Sequence, residues 1–488
     1  MTILLTNNSY HFELENVLRI FYPNEKIRIT HESAEDSFLV HANADTGKSG
    51  TALSLSVKID GEPLRETRET VPHDRPDLKD YCELVLSRML FHILVDITGI
   101  KPPWGVLTGV RPAKLYRWMS KTEGLSTARD YFKRELEVSD GKIRLCEQVA
   151  ERQNPILDLS SPRSFSLYVS IPFCPSRCAY CSFVSHSIDK AKRLIPAYVR
   201  LLCEELTLIA RQARRLDLRL ETVYFGGGTP TSLAAEDLER LFSIIKKEFD
   251  LSTVREYTVE VGRPDTVTTQ KLECIRRSGA NRVSINPQTM DDRILRRIGR
   301  GHTAEQVTGA YRLAREHGFA VNMDVIAGLP GDSEKGFAFT LNKILEMAPE
   351  NITVHTLCTK RSSSLGGNPA EICGAEGQLA ACILEKTEKD LYKAGYFPYY
   401  LYRQSKTVGN LENVGYAKSG FECLYNVYMM EEVQTVLAAG AGAVTKLCNG
   451  RDITRVYNFK YPYEYIDRFD EISGRKKQVD RFYETLQF

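Results

Sequence analysis

The sequence predicts an α/β protein: a partial (βα)6 barrel, preceded by an α+β region and followed by a C-terminal extension. Three observations carry this. From about Ser164 the chain repeats strand, loop and helix six times. Strands alternating with amphipathic helices imply a parallel sheet, and six units are too few for a closed eight-stranded barrel. Before that stretch the apolar runs are short and alternate with polar residues, as half-buried strands do. Beyond about Lys360 the alternation fades. The expected division is 1–160, 161–360 and 361–488.

In the first region Lys26–Thr30, Ser37–His41 and Thr51–Ile59 read as strands and Tyr81–Ile97 as a helix. Pro102-Pro103-Trp104-Gly105 breaks the chain. Arg111–Trp118 then opens a helix with Pro112 in its first turn, where a missing N–H costs little. No chemistry is legible here. In the middle region strands are expected at Ser166–Ile171, Thr222–Phe225, Tyr257–Val261, Arg282–Ile285, Ala320–Ile326 and Ile352–Thr356. Helices are expected at Ala191–Ala213, Ala235–Phe249 and Ala304–His317. In the last region a Ser/Gly-rich patch, 362–367, precedes a helix near Gly377–Ala394. The aromatic run Tyr396–Tyr402 follows and reads as core packing ahead of a ligand-stacking surface.

The 488 residues are 42% hydrophobic and 26% charged, ordinary for a globular protein, and the formal net charge is only +2. That balance gives no global electrostatic case for a nucleic-acid or membrane partner. The basic runs Arg211–Arg219 and Arg475–Lys477 read as solvated helix faces. The start, Met1-Thr-Ile-Leu-Leu, lacks the basic and long apolar segments of a signal peptide. No run of about 18 apolar residues is present, so no membrane-spanning helix is expected. Of twelve cysteines, all but one trio are scattered without a disulfide framework. A cytoplasmic protein is expected.

The trio is Cys174, Cys178 and Cys181, in Tyr168-Val-Ser-Ile-Pro-Phe-Cys-Pro-Ser-Arg-Cys-Ala-Tyr180-Cys181, directly after the first barrel strand. Three thiolates so spaced reach three irons of one 4Fe–4S cube and leave the fourth iron open. An open iron binds a ligand through amino and carboxylate groups, and S-adenosylmethionine (SAM) offers both. Radical chemistry follows better than electron storage. A zinc site is the rival reading, with His186 completing a Cys3His shell.

Other polar residues stand at the ends of successive strands, where an α/β structure places its site. Gly226-Gly-Gly-Thr-Pro230 follows the second strand and lets backbone approach a ligand, without the Lys-Ser/Thr of a phosphate loop. Glu260 ends the third strand, Gln288 follows the fourth, and Asp324 lies in the fifth, where a buried carboxylate needs a partner. Each residue alone has a plain structural explanation. Their recurrence on the rim that carries the cysteines favours a site.

Together these motifs resemble the radical SAM superfamily and, within it, the oxygen-independent coproporphyrinogen III dehydrogenase (HemN-like) family. Residues 160 to 445 carry the likeness, including Asp324-Val-Ile-Ala-Gly-Leu-Pro-Gly331 and Gly415–Asn426. The segment Gly109-Val-Arg-Pro-Ala-Lys114 is most similar to the HemZ branch. The resemblance implies a 4Fe–4S cluster on Cys174, Cys178 and Cys181, and a catalytic set of these cysteines with Tyr168. It places Tyr168 at the SAM carboxylate, Tyr180 near adenine, and Gly227, Gly228 and Thr229 at the methionine part. Glu260, Gln288, Arg300 and Asp324 complete the pocket, with Cys358 and Val444 at its margin.

The implied reaction is oxidative decarboxylation of coproporphyrinogen III in haem biosynthesis, with flavodoxin or ferredoxin as electron donor. Lys360, Arg361 and Arg403 are candidates for the substrate's propionates. Two positions depart from the pattern. Phe183 stands where dehydrogenases of the family carry a fourth cysteine, and Ser170 where histidine is frequent. Phe183 matches the haem-chaperone branch, so a haem-binding protein, or a radical enzyme acting on another substrate, remains the alternative.

Overall fold

The computed structural model describes residues 1–181, 185–358, 375–450 and 452–486. They pack as two units, one of 1–150 with 375–381 and 402–412, the other of 151–358, 382–401 and 413–486. No helix of the described residues is long and apolar enough to cross a membrane.

The first unit holds a five-stranded sheet in the order Arg28–Thr30, Thr2–Thr6, Phe38–Thr46, Thr51–Ile59, Arg65–Val71. Val40, Ala42, Leu53, Leu55 and Val57 form its buried face, against which the helix Leu78–Thr98 packs. Two of these strands escaped the sequence reading. Arg65–Val71 carries charges along its length and buries only Val71, so hydrophobic periodicity gives no signal. Its ladder with Thr51–Val57 holds it, and such a charged edge resists pairing with another chain. Thr2–Thr6 buries Ile3 and Leu5 and pairs with Arg28–Thr30 and Phe38–Thr46 on either side.

The second unit is built on an eleven-stranded sheet. We number its strands β1 Ser164–Ile171, β2 Arg219–Gly227, β3 Glu256–Gly262, β4 Arg282–Ile285, β5 Ala320–Ala327, β6 Asn351–Thr356, β7 Phe397–Arg403, β8 Glu412–Ala417, β9 Thr435–Ala439, β10 Val444–Cys448 and β11 Ile453–Tyr457. The six expected strands are β1 to β6, mutually parallel and adjacent in chain order. Helices Ile195–Arg215, Ala235–Glu248 and Ala304–Glu316 lie between them in sequence. The sheet does not close: β7 and β11 are its edges.

The extension continues this sheet at both ends. β9 joins β1 in parallel, and β8 joins β6 antiparallel. Periodicity misses β9 because Thr435–Ala439 is buried on both faces and does not alternate. The aromatic run forms β7 and buries Tyr399 and Tyr400 in the core. Gly415 in β8 is flat against Tyr400, since a β-carbon there would lie 1.8 Å from the ring.

A buried carboxylate fixes the C-terminal return. Glu205 accepts from Gly440 N at 2.8 Å, Tyr465 Oη at 2.7 Å and Asn458 Nδ2 at 2.8 Å, and pairs with Lys476 at 2.9 Å. A charge this deep is tolerable only when so fully partnered.

Candidate active site

Side chains alternate across a strand, so β1 to β6 present two faces. Leu167, Val169, Val223, Phe225, Val259 and Val283 are buried on one. The other carries Tyr168, Ser170, Tyr224, Glu260, Ser284, Asn322, Asp324 and His355. Lateral register brings these polar residues side by side: Tyr168 opposite Tyr224, Glu260 opposite Ser284, and Ser284 opposite Asn322.

The cysteine loop leaves β1 and is tied down on two sides. Ala179 N donates to Ile298 O at 2.9 Å, and Ser176 Oγ to Gly299 O at 3.2 Å. From β2, Gly228 N donates to Ile171 O at 2.8 Å and Thr229 N to Phe173 O at 2.7 Å. Thr229 Oγ1 lies 3.6 Å from Cys174 Sγ. A β-carbon on Gly228 would come 2.6 Å from Phe173 O and 2.9 Å from Cys174 Sγ, so only glycine lets the loops meet. Gly227 has φ +107, also open chiefly to glycine.

Tyr180 and Arg300 meet directly. The guanidinium donates to Tyr180 Oη at 2.9 and 3.3 Å, and to the carbonyls of Asn286 at 2.7 Å and Gly262 at 3.3 Å. Burial raises the Tyr180 pKa and keeps the phenol protonated. His302 is wedged beside Arg300 and Arg263, and burial with those charges lowers its pKa to about 3.

Two carboxylates face the interior in opposite states. Burial pushes Glu260 up to about 7, and the nearby Asp324 carboxylate adds to the rise, although Tyr224 Oη donates to Glu260 at 2.7 Å. Burial also works to raise Asp324, but His355 at 3.6 Å and Asn322 Nδ2 at 2.7 Å outweigh it and hold the pKa below the usual value. Beside Glu260, Tyr425 stacks on Tyr224 with centroids 4.3 Å apart, and on Tyr168 at 6.2 Å. Gln288 sits at φ +67, pinned by Asp324 O at 2.9 Å and Ile326 N at 3.0 Å, and its buried Oε1 has no hydrogen-bond partner. Strain and an orphaned acceptor together mark a ligand position.

The fold thus gathers Tyr168, the Gly227–Thr229 loop, Glu260, Gln288 and Asp324 along one rim, with Tyr180 on the cysteine loop and Arg300 reaching it from the turn after the helix Asp292–Arg297. Cys358 follows β6 at the same strand ends. Val444 opens β10, just past the Gly440–Ala443 turn in which Ala441 O accepts from Ser170 Oγ at 2.8 Å.

Arg403 does not serve as a propionate ligand. Its guanidinium is 4% exposed, donates to the carbonyls of Leu107 and Asn410, and lies over Trp104, all inside the first unit. Lys360, Arg361 and Phe183 lie outside the described residues. His186 does not complete a zinc shell: its ring stands edge-on to Tyr461 and Tyr463. Among the described residues no three His, Cys, Asp or Glu side chains close on a single ion. A cube of irons spreads its thiolates more widely than one ion does, and Gly228 puts no side chain between its loop and Cys174.

Tyr224, Asn322, His355, Tyr425 and Arg263 also belong to this site and were missed from sequence. Tyr224, Asn322 and His355 carry a legible signal, each being a polar residue in phase with the inward face of its strand. Tyr425 and Arg263 carry none, because loops and a later helix deliver them.

The family described as Radical SAM superfamily matches residues 168–344. The chain is 36% identical over 485 residues to the oxygen-independent coproporphyrinogen-III oxidase-like protein HemZ of Bacillus subtilis, covering 97% of this chain and 96% of that one. It is 30% identical over 307 residues to the heme chaperone HemW of Haemophilus influenzae, covering 62% and 75%. Among solved structures, coproporphyrinogen III oxidase (HemN) from Escherichia coli aligns with a TM-score of 0.49 and 24% identity, covering 66% and 73%.

Proposed function

We propose, since this chain belongs to the radical SAM superfamily and to the family of its HemZ relative, that it performs oxygen-independent oxidative decarboxylation of coproporphyrinogen III to protoporphyrinogen IX. Members of the superfamily bind a 4Fe–4S cluster and SAM. The near full-length identity with the HemZ protein is the observation that carries the specific reaction.

The three cysteines hold the cluster, and the glycines of β2 give it and the methionine part of SAM room. When bound, these cofactors supply one electron and a 5′-deoxyadenosyl group able to take a hydrogen atom from a propionate β-carbon. Loss of carbon dioxide, with one electron passed to an external one-electron acceptor, would leave a vinyl group, and a second round would complete the product. Tyr168 meets the SAM carboxylate and Tyr180 packs near its adenine. Glu260 in its ionised form accepts a hydrogen bond from the SAM amino group, Gln288 Oε1 accepts from a further donor of the ligand, and Asp324 is held ionised for a polar partner by Asn322 and His355. Arg300 keeps Tyr180 in place, and Cys358 and Val444 border the pocket. The stack of Tyr168, Tyr224 and Tyr425 shields the Glu260 side of the site from water. A small one-electron carrier reduces the cluster.

A second reading is haem binding and delivery, favoured by the 30% identity to HemW and by Phe183 in the sequence. Incubating reduced, cluster-loaded protein with SAM and coproporphyrinogen III separates the two. Loss of carbon dioxide from the porphyrinogen supports the first; 5′-deoxyadenosine without that loss, together with stoichiometric haem binding, supports the second.

A further inference from the structure

Arg263 follows the end of β3 and is 3% exposed. Its Nε and Nη2 each lie 3.0 Å from one oxygen of Asp265, a two-pronged pair that fixes the plane of the guanidinium. The remaining nitrogen, Nη1, points into the cysteine loop. It reaches Ser176 Oγ at 3.1 Å, Ser176 O at 3.4 Å and Cys178 Sγ at 3.8 Å.

We propose that Arg263 tunes the iron–sulfur cluster, raising its reduction potential by donating a charged hydrogen bond to the Cys178 thiolate. The inference rests on the cluster reading of the three cysteines. Reduction adds a negative charge to a body already ringed by thiolates, beside an arginine that is itself buried. A cation at the sulfur therefore stabilises the reduced form more than the oxidised one. Asp265 offsets only part of this. It grips the guanidinium by the two nitrogens other than the one at the sulfur, and its side chain is 22% exposed against 4% for the arginine, so water screens it more. The Thr229 hydroxyl on Cys174 Sγ is neutral and is the weaker of the two donors.

The test is a redox titration of the full chain, reconstituted without oxygen, in which the reduced cluster is followed by electron paramagnetic resonance and iron is counted. Sodium dithionite supplies the electron, and SAM is left out. Arg263→Gln should lower the reduction equilibrium constant at least tenfold, which is about 59 mV for one electron. Arg263→Lys should shift it in the same direction by less, and Asp265→Asn should shift it upward. An unchanged midpoint in Arg263→Gln at full iron content overturns the proposal. If that variant fails to load, unchanged midpoints in Arg263→Lys and Asp265→Asn overturn it equally. A wild-type protein that holds no four-iron cluster sinks the cluster reading itself, an outcome distinct from a loaded cluster indifferent to Arg263.

Discussion

Replacing Glu260 by glutamine tests the polar interior of the barrel through two independent signals. The folded carboxyl holds its proton up to a pH of about 7, against an ordinary 4.5. Each tenfold change in proton affinity is worth about 1.4 kcal/mol, so the rise amounts to at most roughly 3 kcal/mol, less whatever water at the cavity wall returns. The folded state binds this proton more tightly than the unfolded state does. Stability from the neutral carboxyl is therefore complete below about pH 4.5 and is lost as pH rises through 7. Wild type should weaken relative to Glu260→Gln by up to that amount between pH 5 and 8, because glutamine stays neutral throughout. Urea melts of the cofactor-free protein across this range measure the difference. The second signal is ligand affinity. If ionised Glu260 accepts from the SAM amino group, the competent fraction rises from about a tenth at pH 6 to about nine tenths at pH 8, and affinity should rise about tenfold. In Glu260→Gln that dependence should flatten and affinity should fall. Parallel melts with equal pH slopes, or a wild-type SAM affinity indifferent to pH, would refute the reasoning.

Four further outcomes are expected. Alanine at Cys174, Cys178 or Cys181 should abolish the iron–sulfur absorbance of a protein otherwise holding about four irons per chain, whereas His186→Ala should leave metal content unchanged in an iron assay. Gly228→Ala should lower iron loading, because the new methyl group would sit 2.9 Å from Cys174 Sγ. Asp324→Asn should weaken SAM binding several-fold at undiminished iron content, measured by equilibrium dialysis. Glu205→Ala should cost about 3–5 kcal/mol in urea unfolding, since it strands Lys476 and the Gly440 amide in the interior.

The parallel strands were legible because each alternates a buried apolar face with a polar one, and β4 has its expected bounds. The cysteine trio, the glycine loop and the two carboxylates were legible for a related reason, as residues too costly or too conformationally special to occur idly at strand ends. What failed to show in sequence depends on distant chain. β9 is recognisable only beside β1, from which seven strands of the sheet separate it along the chain, and its buried faces hide the strand period. Tyr425 reaches the site from a helix that follows β8, and Arg263 matters only because the cysteine loop folds over it. Arg403 shows the converse. A cation late in the chain resembled a substrate ligand, yet the first unit absorbs it among backbone carbonyls and the Trp104 ring.

The most direct measurement follows coproporphyrinogen III by mass spectrometry in an anaerobic mixture of reduced, cluster-loaded protein and SAM. The account predicts 5′-deoxyadenosine together with a monovinyl intermediate and then protoporphyrinogen IX, each step losing one carbon dioxide. Formation of 5′-deoxyadenosine with the porphyrinogen mass unchanged, alongside one haem bound per chain, would contradict it.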